Sequence, residues 1–373
     1  MYAQLTAASP CSRAAPRRAT TRGDATRGGV GRRIGCAASA SSKSESNVVT
    51  SPGADAAASS STAAAAATTA TGGVVGLKKE LTYIAKVCVI GPDQTGMIAG
   101  LSQLMFGSGC NILSCSQFVN EEGIFFQRMS IDYSKAFCGN DNRDVLETSI
   151  DNMAKQYNLT SWKIAYCDDV HRVGILVSKL DHCLWDLLVR YQNDEMPCEI
   201  PVIMSNHAEL QYIADQFGIP FMHLPMVVVD GDKDSAKVAQ EAQIEAALVK
   251  HKVDTLILAR YMQVLSDDFC NKHAEHTINI HHSFLPAFEG GRPYHRAKER
   301  GVKLIGATAH YATAKLDAGP IIAQSVQPIS HRDTVKDMVR KGKDLERVVL
   351  AKALRYHLES RVLVHNNRTV VFD

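Results

Sequence analysis

Residues 277–322 read TINIHHSFLPAFEGGRPYHRAKERGVKLIGATAHYATAKLDAGPII, and this stretch places an amide, an imidazole and a carboxylate within reach of one reacting carbon. Those groups are Asn279, His281 and Asp317. The alternation over Thr277 to His281 is that of a strand end. Asn279 and His281, two apart, therefore share one face, and Ile278 and Ile280 share the other. Pro286 stops any ladder and Glu289-Gly290-Gly291 makes a turn, so the polar pair sits where a strand gives way to a loop. In an open α/β sheet that is where active sites lie. Asp317 follows in the tight turn Leu316-Asp317-Ala318-Gly319-Pro320.

Outward from this stretch, strand and helix alternate. Val173 to Val177 begins an apolar strand, Leu184 to Val189 lies in a helix, and Glu199 to Met204 is the next strand. Phe221 to Leu224 is another, after the turn Gly218-Ile219-Pro220. A long helix covers about Ser235 to Lys250, with Val238, Ala242, Ile244, Ala247 and Leu248 on one stripe. Thr255 to Leu258 is a buried strand. This order implies a doubly wound, mostly parallel α/β sheet over residues 169–373. Asp333 to about Ser360 reads as a helical segment interrupted near Gly342, carrying the solvated charged run Arg340-Lys341-Gly342-Lys343-Asp344. Arg361 to Phe372 reads as a hairpin turning at Asn366-Asn367.

Upstream, residues 77–168 form a second folded unit. Strands at Tyr83 to Ile90, Ile112 to Val119, Ile124 to Tyr133 and Ser161 to Cys167 alternate with helices at about Thr95 to Ser108 and Arg143 to Gln156. The order is β-α-β-β-α-β, that of a ferredoxin-like α+β domain. Gly91-Pro92-Asp93-Gln94-Thr95-Gly96 turns its first strand into its first helix. Gly109-Cys110-Asn111-Ile112 ends that helix with a residue free to adopt left-handed angles. Asp168 to Arg172 is a polar hinge between the two units.

Residues 1–76 are rich in Ala, Ser, Thr and Arg and nearly free of acids and large apolar residues. Such a stretch buries too little to offset its ordering entropy. It reads as an organelle transit peptide and spacer. Ile34-Gly35-Cys36-Ala37 suits a plastid and the arginine density a mitochondrion, with mitochondrion favoured. The first 47 residues hold eight basic and two acidic side chains, so a formal net charge of +2 leaves about −4 for the rest. That balance argues against nucleic-acid binding, which draws its affinity from phosphate neutralisation. The ten cysteines show no C-x-x-C pair or regular framework and read as reduced thiols. No apolar run approaches the roughly 20 residues that span a bilayer, so no membrane partner is expected.

Asn279-Ile280-His281, Ser283-Phe284-Leu285-Pro286 and Asp317-Ala318-Gly319-Pro320-Ile321-Ile322 together resemble the signature of the folate-dependent formyltransferase family. Ala259-Arg260-Tyr261-Met262-Gln263-Val264-Leu265-Ser266 resembles that family's pterin-contacting loop, which implies substrate-binding roles for Tyr261, Met262 and Val264. The turns at residues 91–96 and 109–112 resemble the ACT family of amino-acid-binding regulatory domains. That likeness implies an effector site near Asp93, Gly96, Asn111 and Ile112, and a homo-oligomer, since such domains commonly pair.

Within the formyltransferases the acceptor decides the reaction. Glycinamide ribonucleotide formyltransferases carry a glycine-rich loop after the first strand, whose backbone amides cradle the acceptor's phosphate. Here Ser178-Lys179-Leu180-Asp181-His182-Cys183-Leu184-Trp185 stands there, without glycine and with an added negative charge. The domain order, the doubled His281-His282 and Gly291-Arg292-Pro293-Tyr294-His295 resemble the formyltetrahydrofolate deformylases instead, over about Tyr83 to Phe372. The resemblance implies hydrolysis of 10-formyltetrahydrofolate to tetrahydrofolate and formate, in purine-linked one-carbon metabolism. Asn279 and His281 would hold the oxyanion, His281 would protonate the leaving nitrogen, and Asp317 would orient His281 and take a proton from water. His282 would face the folate, and His331 and Lys341 its acidic tail. No permanently bound cofactor is implied. No metal site is expected among His281, His282, His295 and His310, because no ligand spacing such as H-E-x-x-H appears. Two other readings stay open: a formyltransferase with an amine acceptor such as glycinamide ribonucleotide, and a non-catalytic amino-acid or folate sensor.

Overall fold

A computed structural model describes residues 83–137, 143–228, 231–287 and 293–373. The transit-peptide reading of residues 1–76 and the turn at residues 289–291 lie outside them.

The first unit follows the expected order: β1 (Ile84–Pro92), α1 (Met97–Gly107), β2 (Asn111–Val119), β3 (Ile124–Asp132), α2 (Arg143–Gln156) and β4 (Ser161–Tyr166). Its sheet is antiparallel, in the order β2-β3-β1-β4. Period two explains the burial of β1. Ala85, Val87 and Val89 pack under Leu101 and Met105 of α1 and Leu146 and Ile150 of α2. Cys88 and Ile90 face the other way, against Phe126 and Leu363. Gly109 takes φ +77, the left-handed turn the sequence called for, and a Cβ there would stand 2.7 Å from the Lys135 carbonyl oxygen.

The second unit comprises β5 (His171–Val177), α3 (His182–Gln192), β6 (Cys198–Ser205), α4 (Gln211–Gln216), β7 (Phe221–His223), α5 (Lys233–Lys250), β8 (Thr255–Ala259), α6 (Asp267–Lys272) and β9 (Thr277–His281). It continues through α7 (Pro293–Glu299), β10 (Leu304–Tyr311), β11 (Ile321–Pro328), α8 (Val335–Leu358), β12 (Val362–His365) and β13 (Arg368–Val371). The sheet order is β11-β10-β9-β8-β5-β6-β7. The strands from β7 to β9 run parallel, and β10 runs antiparallel to both its neighbours, β9 and β11. On one face Val173, Ile175, Ile257, Ile278 and Ile280 pack against Leu184 of α3 and Leu350 and Leu354 of α8. On the other, Leu176, Leu256 and Leu258 pack against Ile244 and Leu248 of α5 and Phe269 of α6.

Two expectations fail. On α5 Val238 and Ala242 are exposed, and the buried stripe runs through Ala236, Gln240, Ile244, Ala247 and Leu248. α8 runs unbroken through Gly342, starting from a capping box between Thr334 and Asp337. The glycine answers a packing demand, because a Cβ there would lie 1.8 Å from the hydroxyl of Tyr294 on α7. The charged run around it is correspondingly divided: Arg340 is exposed, Gly342 is buried, and Lys341 pairs with Asp333 at 2.9 Å. Arg361 to Phe372 does form a hairpin, with Asn366 at φ 47 and Asn367 at φ 59, the left-handed pair of a tight two-residue turn. It packs on the outer face of the first sheet. There Arg128 of β3 donates to the carbonyls of Ser360 at 3.0 Å and Glu359 at 2.9 Å, at the end of α8.

Candidate active site

β5 sits at the point where strand order reverses, with β6 on one side and β8 on the other, and the loops after β5, β8 and β9 leave the same edge of the sheet. Such a crevice is where open α/β sheets bind ligands. A cavity of about 240 Å³ opens there. Its floor is Asn279, His281 and His310, one wall is the segment Arg260 to Leu265, and the other is Ala312 to Asp317.

The structure brings Asn279, His281 and Asp317 together. Because Ile278 and Ile280 are committed to the core beneath α8, Asn279 and His281 emerge on the cavity side of β9. Asp317 reaches them from the turn between β10 and β11, with its own φ at +55. That turn is held tight at Gly319, where a Cβ would fall 1.8 Å from the Tyr311 carbonyl oxygen. Nδ1 of His281 lies 3.1 Å from Oδ1 of Asp317, and both side chains are about 6 % exposed. Nε2 of His281 is buried and has no hydrogen-bond partner among the described residues.

His310, named above only among the histidines not expected to bind a metal, belongs to this constellation. Antiparallel pairing sets it directly opposite Asn279, and a register shift between Ala309 and His310 re-aims the side chain. Its Nδ1 lies 2.9 Å from the Tyr311 carbonyl, which only accepts, so Nδ1 carries the proton. Nε2 therefore accepts from Nδ2 of Asn279 at 3.1 Å, which fixes the orientation of that amide. Burial pushes the His310 imidazole below its ordinary range and so favours this neutral form. The legible signal was a histidine at the end of an apolar strand; its partner depended on pairing register.

Tyr261, Met262 and Val264 all line the cavity. They do so differently: Met262 and Val264 are exposed, whereas the Tyr261 ring is buried in the core with its hydroxyl 3.3 Å from Gln240 Oε1. The Met262 backbone N–H is already engaged, donating to Ser178 Oγ at 3.1 Å. His282 also lines the cavity, with its ring 5.0 Å from that of His281 and 6.0 Å from that of Tyr294. Burial first, and then the charges of Arg260 and His281, push its imidazole down to about 3. His295 and His331 are exposed.

The four expected effector positions do not converge within one copy. Asp93 and Gly96 follow the end of β1. Asn111 and Ile112 open β2, whose register places them against Asp132 and Ile131 and hence beside the start of β1. The strand between those ends spans roughly 26 Å at about 3.3 Å per residue. α1 carries the chain back along the sheet, so the two turns lie at opposite ends of the strands.

Among the described residues, one set of potential metal donors is close together: His182, Cys183 and Glu346. The carboxylate is already paired, with Nε2 of His182 at 2.8 Å and Nε of Arg260 at 3.3 Å. The Cys183 thiol is pushed well up by burial, which disfavours the thiolate a metal would take. A guanidinium in that position further opposes a cation.

A family model described as formyl transferase matches residues 171–354. A formyltetrahydrofolate deformylase of Synechocystis sp. is 48% identical over 289 residues, covering 77% of this chain and 98% of the relative. One from Bacillus subtilis is 40% identical over 284 residues, covering 76% of this chain and 91% of its own length. Among solved structures, a formyltetrahydrofolate deformylase from Pseudomonas syringae superimposes with a TM-score of 0.72 at 41% identity, over 78% of this chain and 94% of that one. A glycinamide ribonucleotide transformylase from Symbiobacterium toebii superimposes with a TM-score of 0.51 at 29% identity, over 55% of this chain and 95% of that one.

Proposed function

The chain belongs to the formyltetrahydrofolate deformylase family, and on that premise we propose that it hydrolyses 10-formyltetrahydrofolate to tetrahydrofolate and formate, with water as the acceptor. The observation that carries the reading is the His281–Asp317 pair in the lining of a cavity, with the buried Nε2 of His281 unpartnered and an oriented Asn279 beside it. The pterin lies along Tyr261, Met262 and Val264, with His282 at its edge, so the formyl group meets the polar floor.

The chemistry then divides among the side chains. As water adds to the formyl carbon, the carbonyl oxygen becomes an oxyanion. Asn279, with one amide hydrogen given to His310, offers the other to that oxygen, a contribution of about 3 kcal/mol for one such donor. Asp317 takes a proton from the attacking water, general base catalysis of order a hundredfold or more. His281, protonated and donating through Nδ1 to Asp317, adds a second donor at Nε2 and delivers that proton to N10 as the C–N10 bond breaks. The proton held by Asp317 then restores His281, and formic acid ionises to formate. The formyl group arrives on the substrate, so no resident cofactor or metal enters the scheme.

Formate release without any acceptor, measured for the purified chain and for Asp317→Asn, tests this. Turnover in the parent and its loss by at least a hundredfold in the variant are expected. A folded parent that releases no formate unless an amine is supplied would overturn the reading.

We further propose that the first unit is an ACT-type regulatory domain that binds an amino acid and pairs with a second copy. β2 is an edge strand exposed along most of its length, including Leu113, Phe118 and Val119. Two sheets laid side by side in opposite senses would bring Asp93 and Gly96 of one beside Asn111 and Ile112 of the other. A thermal-shift screen with amino acids that moves no melting point would sink effector binding. Residues 1–76 act as the organelle transit sequence in this reading, mitochondrial in preference to plastid, and the reaction serves purine-linked one-carbon supply. Fusion of those residues to a fluorescent protein tests the address.

A further inference from the structure

The reaction centre on β9 is bordered on two sides. One is the cavity, on the α5 and α6 side of β9. The other is the α3 and α8 side, reached past His282, which follows His281 and lies against Tyr294. That second side is filled. His182 opens α3, Arg260 follows β8, Tyr294 sits on α7 and Glu346 on α8, and all four meet with at most about a tenth of each exposed. Glu346 is the hub: His182 Nε2 is 2.8 Å from Oε2, Arg260 Nε is 3.3 Å from the same oxygen, and the Tyr294 hydroxyl donates to Oε1 at 3.0 Å.

We propose that this buried cluster of His182, Arg260, Glu346 and Tyr294 is the specificity determinant that closes the reaction centre to amine acceptors and leaves room for water alone. The inference rests on the hydrolase reading and assigns the reason for its choice of nucleophile.

Three observations carry it. Stability does not ask for such a cluster, since well-packed apolar residues hold a core as well as a buried ion pair does, and the chain accepts further constraints to build it. Arg260 adopts a left-handed backbone at φ 63, unusual for a residue with a side chain, and Gly342 is kept bare so that the Tyr294 hydroxyl can reach Glu346. Second, the cluster borders the reaction centre. Arg260 and His282 are cavity wall on one side and cluster or its neighbour on the other. Third, the loop after β5, which leads into His182, is pinned. Ser178 Oγ donates to Asn206 Oδ1 at 2.7 Å and accepts from the Met262 amide, so the loop is tied to the cavity segment and is not open to a ligand.

An amine acceptor would need its nitrogen at the formyl carbon. The new C–N bond would form, C–N10 would break, and one amine proton would pass to N10. The body of the acceptor would have to occupy the space these four side chains fill. Water needs none of it.

The test measures formate and formylated amine together, from 10-formyltetrahydrofolate and the full chain, with enzyme-free rates subtracted. The parent is first offered hydroxylamine, glycinamide and glycinamide ribonucleotide at equal concentration. Hydroxylamine is expected to exceed the two larger amines at least tenfold in formylated product per formate. His182→Gly, which removes an imidazole from the filled side, is expected to raise formylated glycinamide at least tenfold over the parent. Tyr294→Phe, which drops the hydroxyl and keeps the ring, should stay at the parent ratio. Glycinamide competing as well as hydroxylamine in the parent would overturn the proposal, and that arm stands even where His182→Gly does not fold. A folded, hydrolysing His182→Gly with an unchanged ratio would overturn it too, as would Tyr294→Phe matching His182→Gly. Absence of acceptor-free formate from the parent would instead sink the hydrolase reading itself.

Discussion

Replacing His310 by leucine isolates the orientation of Asn279 from its presence. In the parent, His310 Nε2 accepts one hydrogen of the Asn279 amide at 3.1 Å and so aims the other. Leucine fills much of the same volume and accepts nothing. The terminal torsion of asparagine is broad and roughly two-fold, so the freed amide samples its flipped state and the angles between. The flip alone halves the productive population, a floor of about twofold for two equal orientations. Complete loss of the donor sets the ceiling, about 3 kcal/mol or a hundredfold to a thousandfold in kcat. A site needs its donors within roughly 0.5 Å and 10–20° of the productive geometry, so the result should fall between those limits, about tenfold to a hundredfold. Formate release under saturating substrate gives kcat, and KM should stay within about twofold, because this contact matters to the oxyanion and not to the bound ground state. His310→Gln, whose side-chain oxygen accepts, should recover part of the loss. In the Asn279→Ala background His310→Leu should cost less than about twofold, since residues acting as one unit are not additive. A folded His310→Leu with kcat within twofold of the parent, or full additivity with Asn279→Ala, would refute the assignment.

His357 accepts from the Tyr311 hydroxyl at 2.9 Å and lies 3.2 Å from Thr255 Oγ1, and burial pushes its imidazole down to about 3. The unfolded chain binds the extra proton between that value and about 6.5, so the stability is complete above pH 6.5 and lost as pH falls through this window. At pH 4.5 the loss reaches about 3 kcal/mol, and His357→Phe should flatten the difference in urea stability between pH 7 and pH 4.5 by that amount; an unchanged pH dependence would contradict it. Gly319→Ala puts a Cβ into the Tyr311 carbonyl. It should cost about 2 kcal/mol or more, seen as a fall of roughly 4–8 °C in Tm. Retained Tm would mean the turn relaxes freely. Arg128→Leu leaves the Ser360 and Glu359 carbonyls without their charged donor and should lower stability to urea by about 2 kcal/mol with kcat kept.

What was legible in the sequence was what depends on short spacing. Asn279 and His281 lie two apart on one strand, and the Gly319 turn that delivers Asp317 is written locally, so the three groups could be named before any tertiary contact was known. The long helices and most strands were legible from periodicity for the same reason. α4, α6 and α7 were not, because six or seven residues hold fewer than two turns and no stripe can repeat. Gly342 misled because a glycine in a helix reads as a break, whereas its cause is Tyr294, far away in sequence. The Glu346 cluster was hidden more deeply. His182 and Glu346 are 164 residues apart, and nothing local announces that α3 and α8 share a face. A signal did exist: Glu346 falls on the stripe of Met338, Gly342, Val349 and Ala353, where a carboxylate has no business unless partners wait for it.

Three histidines crowd the reaction centre, and only one is arranged to move a proton. His310 has both nitrogens committed, Nδ1 to a carbonyl and Nε2 to the Asn279 amide, so a second proton would break the contact that aims the oxyanion donor. His282 is nearer in sequence to His281 and as close to the cavity, yet burial and the neighbouring Arg260 and His281 push it down to about 3, leaving it uncharged at neutral pH. Had Arg260 not been drawn to the edge of the site by Glu346, that second source of depression would be missing. The cluster on the far side of β9 thus has an electrostatic consequence as well as a steric one. Arg260 adds to the burial that keeps His282 neutral while Glu346 opposes it, and the neutral ring removes a competing cation from beside His281. His281 alone combines a carboxylate 3.1 Å behind Nδ1 with a buried, unpartnered Nε2 in front. A pair of adjacent histidines in the sequence therefore resolves into one proton carrier and one uncharged wall, and the difference is made by which face of β9 each side chain leaves.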